Sequence, residues 1–304
     1  MKNQAIFEKM IASGFNDIVG GSDPVEIAQF NVDIIERIST IEQGMKVLDF
    51  GCGCGRVSLP ILEKIGPQGT IVGVDIIPKM IEFCREEITS IYPNSNFYQL
   101  VAENSHYTQW TETQAKDSSQ ISDLTDIAES EFDLIFAFSV FTHLDLEDTK
   151  KYLKQFSKLL RPGGSIVISA MFINESSMRG LHNNTSNVPF GKSIKRRRDI
   201  YFGNPQDKLA AVGFREASFI KLAVDAGLEV SQIYYGAWPG RPHRICGQDV
   251  IALTNHAKLP DGFDAKTYIE LHADLTWDSN TPEGLRDAER HYLLHGYYEG
   301  RAWC

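Results

Sequence analysis

The stretch Val47-Leu48-Asp49-Phe50-Gly51-Cys52-Gly53-Cys54-Gly55-Arg56 decides the fold of this chain. With Met45 and Lys46 it opens as a short, mostly apolar strand, Met45–Phe50. Glycines at 51, 53 and 55 then let the backbone turn tightly and approach a ligand without side-chain obstruction. A helical pattern follows from Arg56 to Lys64. A strand that turns into a helix in this way presents backbone N–H groups to whatever sits at the turn. The spacing is not that of a dinucleotide turn, G-x-G-x-x-G. Counted from Gly51, the third glycine position holds Arg56; counted from Gly53, it holds Ser58. Asp49 also puts a carboxylate before the turn, which opposes a pyrophosphate and suits a cationic ligand.

Outward from this turn the chain alternates. Strands are expected at Thr70–Val74, Phe97–Val101, Phe132–Phe138 and Ser165–Met171, with helices at Lys79–Ser90 and Leu146–Leu160 between them. A helix at Glu216–Ala226 and strands at Leu228–Tyr234 and Asp249–Leu253 follow. This rhythm indicates a Rossmann-like α/β fold, a mostly parallel sheet covered on both faces. Seven strands in the order 3-2-1-4-5-7-6 are expected, with one antiparallel strand near the C-terminal end. Arg161-Pro-Gly-Gly164 reads as a turn. Residues 107–130 read as a polar surface excursion. Residues 172–212, with the basic run Lys195-Arg196-Arg197-Arg198, read as a long irregular connection at the strand ends, where a substrate lid could sit.

Asp75 ends the second strand, where a carboxylate can accept both ribose hydroxyls of an adenosine. The glycine turn, VGVD at 72–75, FDLIFAFSVFTHL at 132–144 and LLRPGG at 159–164 together resemble the class I methyltransferases that use S-adenosylmethionine (SAM). The resemblance covers about residues 40–254. It implies SAM as cofactor, bound by Asp49, Gly51, Cys52, Gly53, Gly55, Asp75 and Ile76, with Asp49 and Gly51 near its methionine end and Asp75 at the ribose. It also implies Glu103 or backbone groups beside the adenine, and Ser139 facing the cofactor from the end of strand four.

Composition sets outer bounds. The chain has 304 residues, 42% of them apolar, enough for one large α/β domain and a smaller appendage. A formal charge of -10 argues against nucleic acid as partner. No apolar run reaches the length of a membrane span. The start has no apolar stretch ahead of a cleavage site, so no secretion signal is expected. Five cysteines at irregular spacing read as reduced thiols in a cytoplasmic protein, not as a disulfide framework. No His, Asp, Glu or Cys cluster has metal-ligand spacing, so no metal is expected.

Residues 1–43 read as helical, either a cap over the cofactor site or a plain packing layer. Beyond Pro260 the chain reads as a helical appendage, giving a domain at 1–256 and a module at 257–304. The tail segments FDAKTYIELHADL (263–275) and ERHYLLHGYYEGRAW (289–303) resemble a short module attached to bacterial glycosyltransferases. SVFTHL and YGAWPGR (235–241) are similar to a bacterial methyltransferase group associated with glycan assembly. These resemblances imply polysaccharide biosynthesis and a saccharide or other small polar acceptor, methylated on oxygen, with the module free to contact a protein.

Methyl transfer to a hydroxyl needs a group to take its proton. His143, just beyond strand four, and His243, in the Pro-rich loop 236–247, are the candidates; each also has a plain structural role open to it. The acceptor site is expected above strands four and five, walled by His143, parts of 172–202 and the loop 236–247. Asn174, Glu175, Tyr201, Trp238 and Arg241 are its candidate contacts. Two other readings stay open: a SAM-fold protein that binds without catalysis, and a nicotinamide-dependent oxidoreductase.

Overall fold

A computed structural model describes residues 2–18, 21–101, 106, 120–127, 132–188, 190, 199–242, 244, 246–255, 259–260, 262–292, 296 and 299–303. Its centre is a sheet of eight strands. In chain order these are β1 (Lys46–Phe50), β2 (Thr70–Asp75), β3 (Ser95–Leu100), β4 (Gln120–Ile121), β5 (Phe132–Ala137), β6 (Leu160–Ala170), then β10 (Glu229–Tyr234) and β11 (Asp249–Thr254). Three short strands, β7 (Phe172–Ile173), β8 (Ile200–Phe202) and β9 (Val212–Arg215), lie outside this sheet.

Across the sheet the order is β4-β3-β2-β1-β5-β6-β11-β10. The expected order 3-2-1-4-5-7-6 holds for the seven long strands, and β4 adds an eighth at the edge. Val47 pairs with Ile71 on one side and with Leu134 on the other, both in parallel. β11 runs antiparallel to both β6 and β10 and is the reversed strand.

The two-residue period of β1 assigns its side chains to opposite layers. Leu48 and Phe50 pack with Leu153, Phe156 and Phe219 of helices α6 (Leu146–Leu159) and α8 (Glu216–Asp225). Val47 packs on the other face, with Ile35 of α3 (Pro24–Glu36), Ile61 and Leu62 of α4 (Ser58–Ile65) and Ile81 of α5 (Pro78–Phe83). Helix starts follow local chemistry. The Asp23 carboxylate accepts from the N–H groups of Val25 and Glu26 at 2.8 and 3.1 Å, with Pro24 in the first turn. Asp145 caps α6 through the Asp148 N–H at 2.9 Å.

Three expectations need correction. Arg161-Pro-Gly-Gly164 is not a free turn but part of β6, where the pairing with β5 shifts register between Phe132 and Leu134. Gly163 takes φ +72° there, so a bulge absorbs the turn signal inside the strand. The connection 172–212 is not irregular throughout. Its described part holds β7 (Phe172–Ile173), helix α7 (Glu175–His182) and β8 (Ile200–Phe202), and β7 and β8 flank β9 (Val212–Arg215) in a second, three-stranded sheet. Strands of two to four residues carry too little alternation to be read from a pattern. The excursion 107–130 yields β4 and a capped turn at Leu124–Asp126. The basic run 195–198 lies outside the described residues.

The four described cysteines, Cys52, Cys54, Cys84 and Cys246, are buried free thiols. Among the described residues no helix is long and apolar enough to cross a membrane. Helices α9 (Ala265–Leu271) and α10 (Pro282–His291) build a separate small core of Tyr268, Ile269, Ala288 and Tyr292. Phe263, Leu275, Trp277 and Trp303 pack against it.

Candidate active site

At the C-terminal ends of β1, β2 and β5 a cavity of about 570 Å³ opens, within the roughly 300–1,000 Å³ common for small-molecule sites. The glycine turn forms its floor. Gly51, Gly53 and Gly55 all have positive φ, between 53° and 79°. A Cβ on Gly51 would stand 2.2 Å from Val140 Cγ2, and one on Gly55 would stand 2.3 Å from Ile88 Cδ1. Both glycines are therefore required by space as well as by backbone angle.

Asp75 braces the turn. Its Oδ2 accepts the Gly53 N–H at 2.8 Å and its Oδ1 accepts the Ile77 N–H at 2.9 Å. A carboxylate has about four acceptor positions, so capacity remains toward the cavity that Asp75 lines. Burial pushes its pKa up, and the backbone N–H groups pull against that. Asp49 is buried at the same wall and accepts the Ser58 hydroxyl at 2.6 Å. Desolvation raises its pKa to about 7; the Ser58 hydrogen bond opposes this, Asp75 adds to it and Arg56 opposes it.

Three thiols pack beneath the turn. Those of Cys52 and Cys84 both point at the Gly53 carbonyl, at 3.6 and 3.4 Å. Burial raises the Cys52 pKa strongly and lifts that of Cys54 to about 12. The neutral thiols of Cys52 and Cys54 fill space and do not act as nucleophiles. Among the described residues no cluster of His, Cys, Asp or Glu can hold a metal ion.

Beyond β5 the backbone is held in an unusual state. Ser139 has φ +58° and its N–H donates to Ser169 Oγ at 2.7 Å. Ser169 donates to Gln248 Oε1 at 2.6 Å, and Gln248 Nε2 returns to Ser139 Oγ at 3.1 Å. This closed relay fixes Ser139 and Gln248 on the cavity wall. His143 follows in a short 3-10 turn, Phe141–His143. Its Nδ1 lies 2.8 Å from the Leu209 carbonyl oxygen. Burial lowers its pKa, so the ring is neutral at pH 7.

The structure gathers most of the residues expected at the site. Asp49, Gly51, Cys52, Gly53, Asp75, Ile76, Ser139 and His143 all line this cavity, and Gly55 completes the turn. Glu103 and His243 lie outside the described residues. The N-terminal helices α2 (Phe15–Ile18) and α3 supply Ile18, Ile27, Phe30, Asn31 and Ile34 to the wall, in keeping with a cap.

The expected acceptor wall is different. Trp238 and Tyr201 are buried in a core cluster with Phe190. Arg241 pairs with buried Asp249 at 2.8 Å, and Asn174 caps α7. None of these, nor Glu175, is among the lining residues. The loop 236–247 reaches the cavity through Cys246 and Gly247 instead. Sequence reading missed His106, which lines the same cavity and bonds Asp207 across 101 positions; no local signal links the two.

A methyltransferase domain family model matches residues 41–204. The chain belongs to the methyltransferase domain family. The resemblance of its motifs implies SAM as the methyl donor. The glycine cradle and the Asp75 carboxylate in one cavity fit that group. Among curated relatives, the aklanonic acid methyltransferase DauC of Streptomyces sp. (strain C5) is 36% identical over 89 residues, 27% of this chain and 39% of that protein. Phosphoethanolamine N-methyltransferase 1 of Arabidopsis thaliana is 24% identical over 163 residues, 54% of this chain and 27% of that protein. The nocamycin O-methyltransferase of Saccharothrix syringae is 33% identical over 76 residues, 25% of each chain. The chain thus spans about a quarter to two fifths of the length of these relatives.

Proposed function

We propose that this chain transfers a methyl group from SAM to the oxygen of a small polar acceptor, a saccharide or a related metabolite. One observation carries the reading: Asp75 and a neutral His143 line the same cavity as the glycine turn. The cofactor, when bound, supplies an electrophilic methyl on a positively charged sulfur. In this reading Asp75 holds the ribose hydroxyls, and the turn N–H groups and Asp49 receive the methionine end. Ile76 flanks the ribose and Ser139 borders the reacting region. The helical cap and the relay through Gln248 exclude water, which a displacement of this kind requires.

Two of the relatives named above support small-molecule acceptors by their names, one of them an O-methyltransferase. The net charge of -10 favours a small molecule over nucleic acid. The saccharide rests on the resemblance of the 139–144 and 235–241 segments and of the tail to glycan-assembly proteins. Buried free thiols suit a reducing compartment such as the cytoplasm.

We further propose that the chain divides at residues 256 and 257, with the tail as a module that contacts a protein. The separate apolar core of α9 and α10 supports this. The test is incubation of the full chain with SAM labelled on the methyl group and a panel of sugars, phenols, amines and carboxylic acids. Label on a sugar or other hydroxyl oxygen is the expected result. Label only on nitrogen would overturn the oxygen assignment.

A further inference from the structure

Three residues from three strands close a ring of hydrogen bonds on the cavity wall. Ser139 follows β5, Ser169 lies in β6, and Gln248 directly precedes β11. All three line the cavity that also holds Gly51 and Asp75. The sheet order puts β5, β6 and β11 on one side of β1 and puts β2, with Asp75, on the other. The ring therefore stands on the side of the glycine turn away from Asp75.

The hydrogens of the ring can be followed one by one. The Ser139 N–H can only donate, and Ser169 Oγ accepts it at 2.7 Å. Ser169 is buried and has a single hydrogen to give, which goes to Gln248 Oε1 at 2.6 Å. That sets the amide, whose Nε2 donates to Ser139 Oγ at 3.1 Å. The opposite amide orientation would leave the buried Ser169 hydrogen without an acceptor among the described residues, an unmade bond that costs stability. With Ser139 Oγ engaged as an acceptor, its own hydrogen is left over, and so is the second hydrogen on Gln248 Nε2. Ser139 is exposed and Gln248 half-buried, so both hydrogens are open to the cavity. The ring also sustains the positive φ of Ser139, +58°, which residues with a side chain rarely adopt.

We propose that Ser139 and Gln248 recognise the acceptor molecule, and that this molecule carries an uncharged carbonyl oxygen, of an amide or a ketone, beside the hydroxyl that is methylated. This inference rests on the methyl-transfer reading above and adds the group by which the acceptor is held. A carbonyl oxygen has two lone pairs and takes both donors at once. A hydroxyl would bring a hydrogen of its own to a spot that already presents two. A carboxylate would meet a cavity lined by three carboxyl groups, Asp49, Asp75 and Asp148, against the one guanidinium of Arg56 among the described residues, and like charges oppose it. An N-acyl amino sugar joins this requirement to the saccharide reading.

The experiment uses the full chain and labelled SAM with matched probes: methyl N-acetylglucosaminide against methyl glucoside, and hydroxyacetophenone against phenol and hydroxybenzoate. The carbonyl member of each set should be the best acceptor. Ser139→Gly removes the hydroxyl and takes the positive φ freely. It should raise the KM for the carbonyl probes about ten- to a hundredfold, with kcat and S-adenosylhomocysteine affinity within about threefold of the parent. Gln248→Glu keeps an acceptor for Ser169 but offers a carboxylate where the amide donated. It should abolish the preference for the carbonyl probes, which a merely structural role would not do. Unchanged preference in both variants would overturn the proposal. So would cofactor affinity that falls as far as acceptor affinity, which would assign the pair to the cofactor. A parent that binds S-adenosylhomocysteine and methylates no carbonyl probe would overturn it too, while leaving the methyltransferase reading intact. Failure of the parent to bind S-adenosylhomocysteine would instead overturn that reading.

Discussion

The Ser58 hydroxyl sits 2.6 Å from the Asp49 carboxylate, which is buried at the glycine turn. Desolvation outweighs this hydrogen bond and holds the pKa of Asp49 near 7. The folded state therefore binds a proton that the unfolded state, near 3.8, releases. Stability from this group is fully present below pH 4 and is lost as pH rises toward 7. Asp49→Asn keeps an acceptor for Ser58 and removes the charge. It should gain on the order of 2–4 kcal/mol at pH 7–8 and little at pH 4, read by thermal or urea unfolding. A variant less stable than the parent at pH 8 would contradict the burial argument.

In the proposed site the same carboxylate sets the pH dependence of cofactor binding. A cationic ligand favours the ionised form, so SAM affinity should rise between pH 6 and 8 in the parent. That slope should vanish in Asp49→Asn, whose overall affinity should also be lower. Calorimetry across this range measures both; a slope that persists in the variant would assign the titration elsewhere.

Asp249 organises the loop 236–247. Its oxygens accept from Gly236 N–H at 2.8 Å, Trp238 Nε1 at 2.7 Å, Phe172 N–H at 2.7 Å and Arg241 Nη1 at 2.8 Å. Arg241 also reaches Ser176 Oγ at 3.1 Å on α7. Arg241→Met leaves a buried carboxylate without its cation, a loss of about 3–5 kcal/mol. Unfolding should show it, and Asp249→Asn added to it should recover part. A neutral Arg241→Met would mean that the loop is held by other contacts.

The domain boundary is also testable. Asn255 closes the sheet region, with its side-chain N–H donating to the Leu160 carbonyl at 2.9 Å and its own carbonyl accepting the Gly163 N–H at 2.9 Å. The small core of α9 and α10 follows this closure. A chain ending at residue 256 should stay folded and bind S-adenosylhomocysteine within a few-fold of the parent. An insoluble or unfolded product would place the boundary elsewhere.

The sheet and the glycine turn were legible because their signals are local. Glycines at alternate positions, a carboxylate ending the next strand and a two-residue apolar period each fix one element by its own chemistry. The acceptor side was not. Trp238 and Arg241 look like ligand contacts in sequence, yet they satisfy Asp249, a partner 8 to 11 positions away on the next strand. His106 and Asp207 look like isolated polar residues because only the tertiary fold joins them. The bulge at Gly163 concealed the start of β6, since a turn signal and a bulge use the same residues.

In the proposed site the glycine turn and Asp75 hold the methyl donor. Titration of S-adenosylhomocysteine into the parent and Asp75→Ala by calorimetry tests it most directly. Two charge-assisted hydrogen bonds, each about 1.5–3 kcal/mol, should be lost, weakening binding by about 10²–10⁴-fold. The variant should stay folded, since the glycines keep their own backbone angles. Unchanged affinity in folded Asp75→Ala would contradict the assignment of this cavity as the cofactor site.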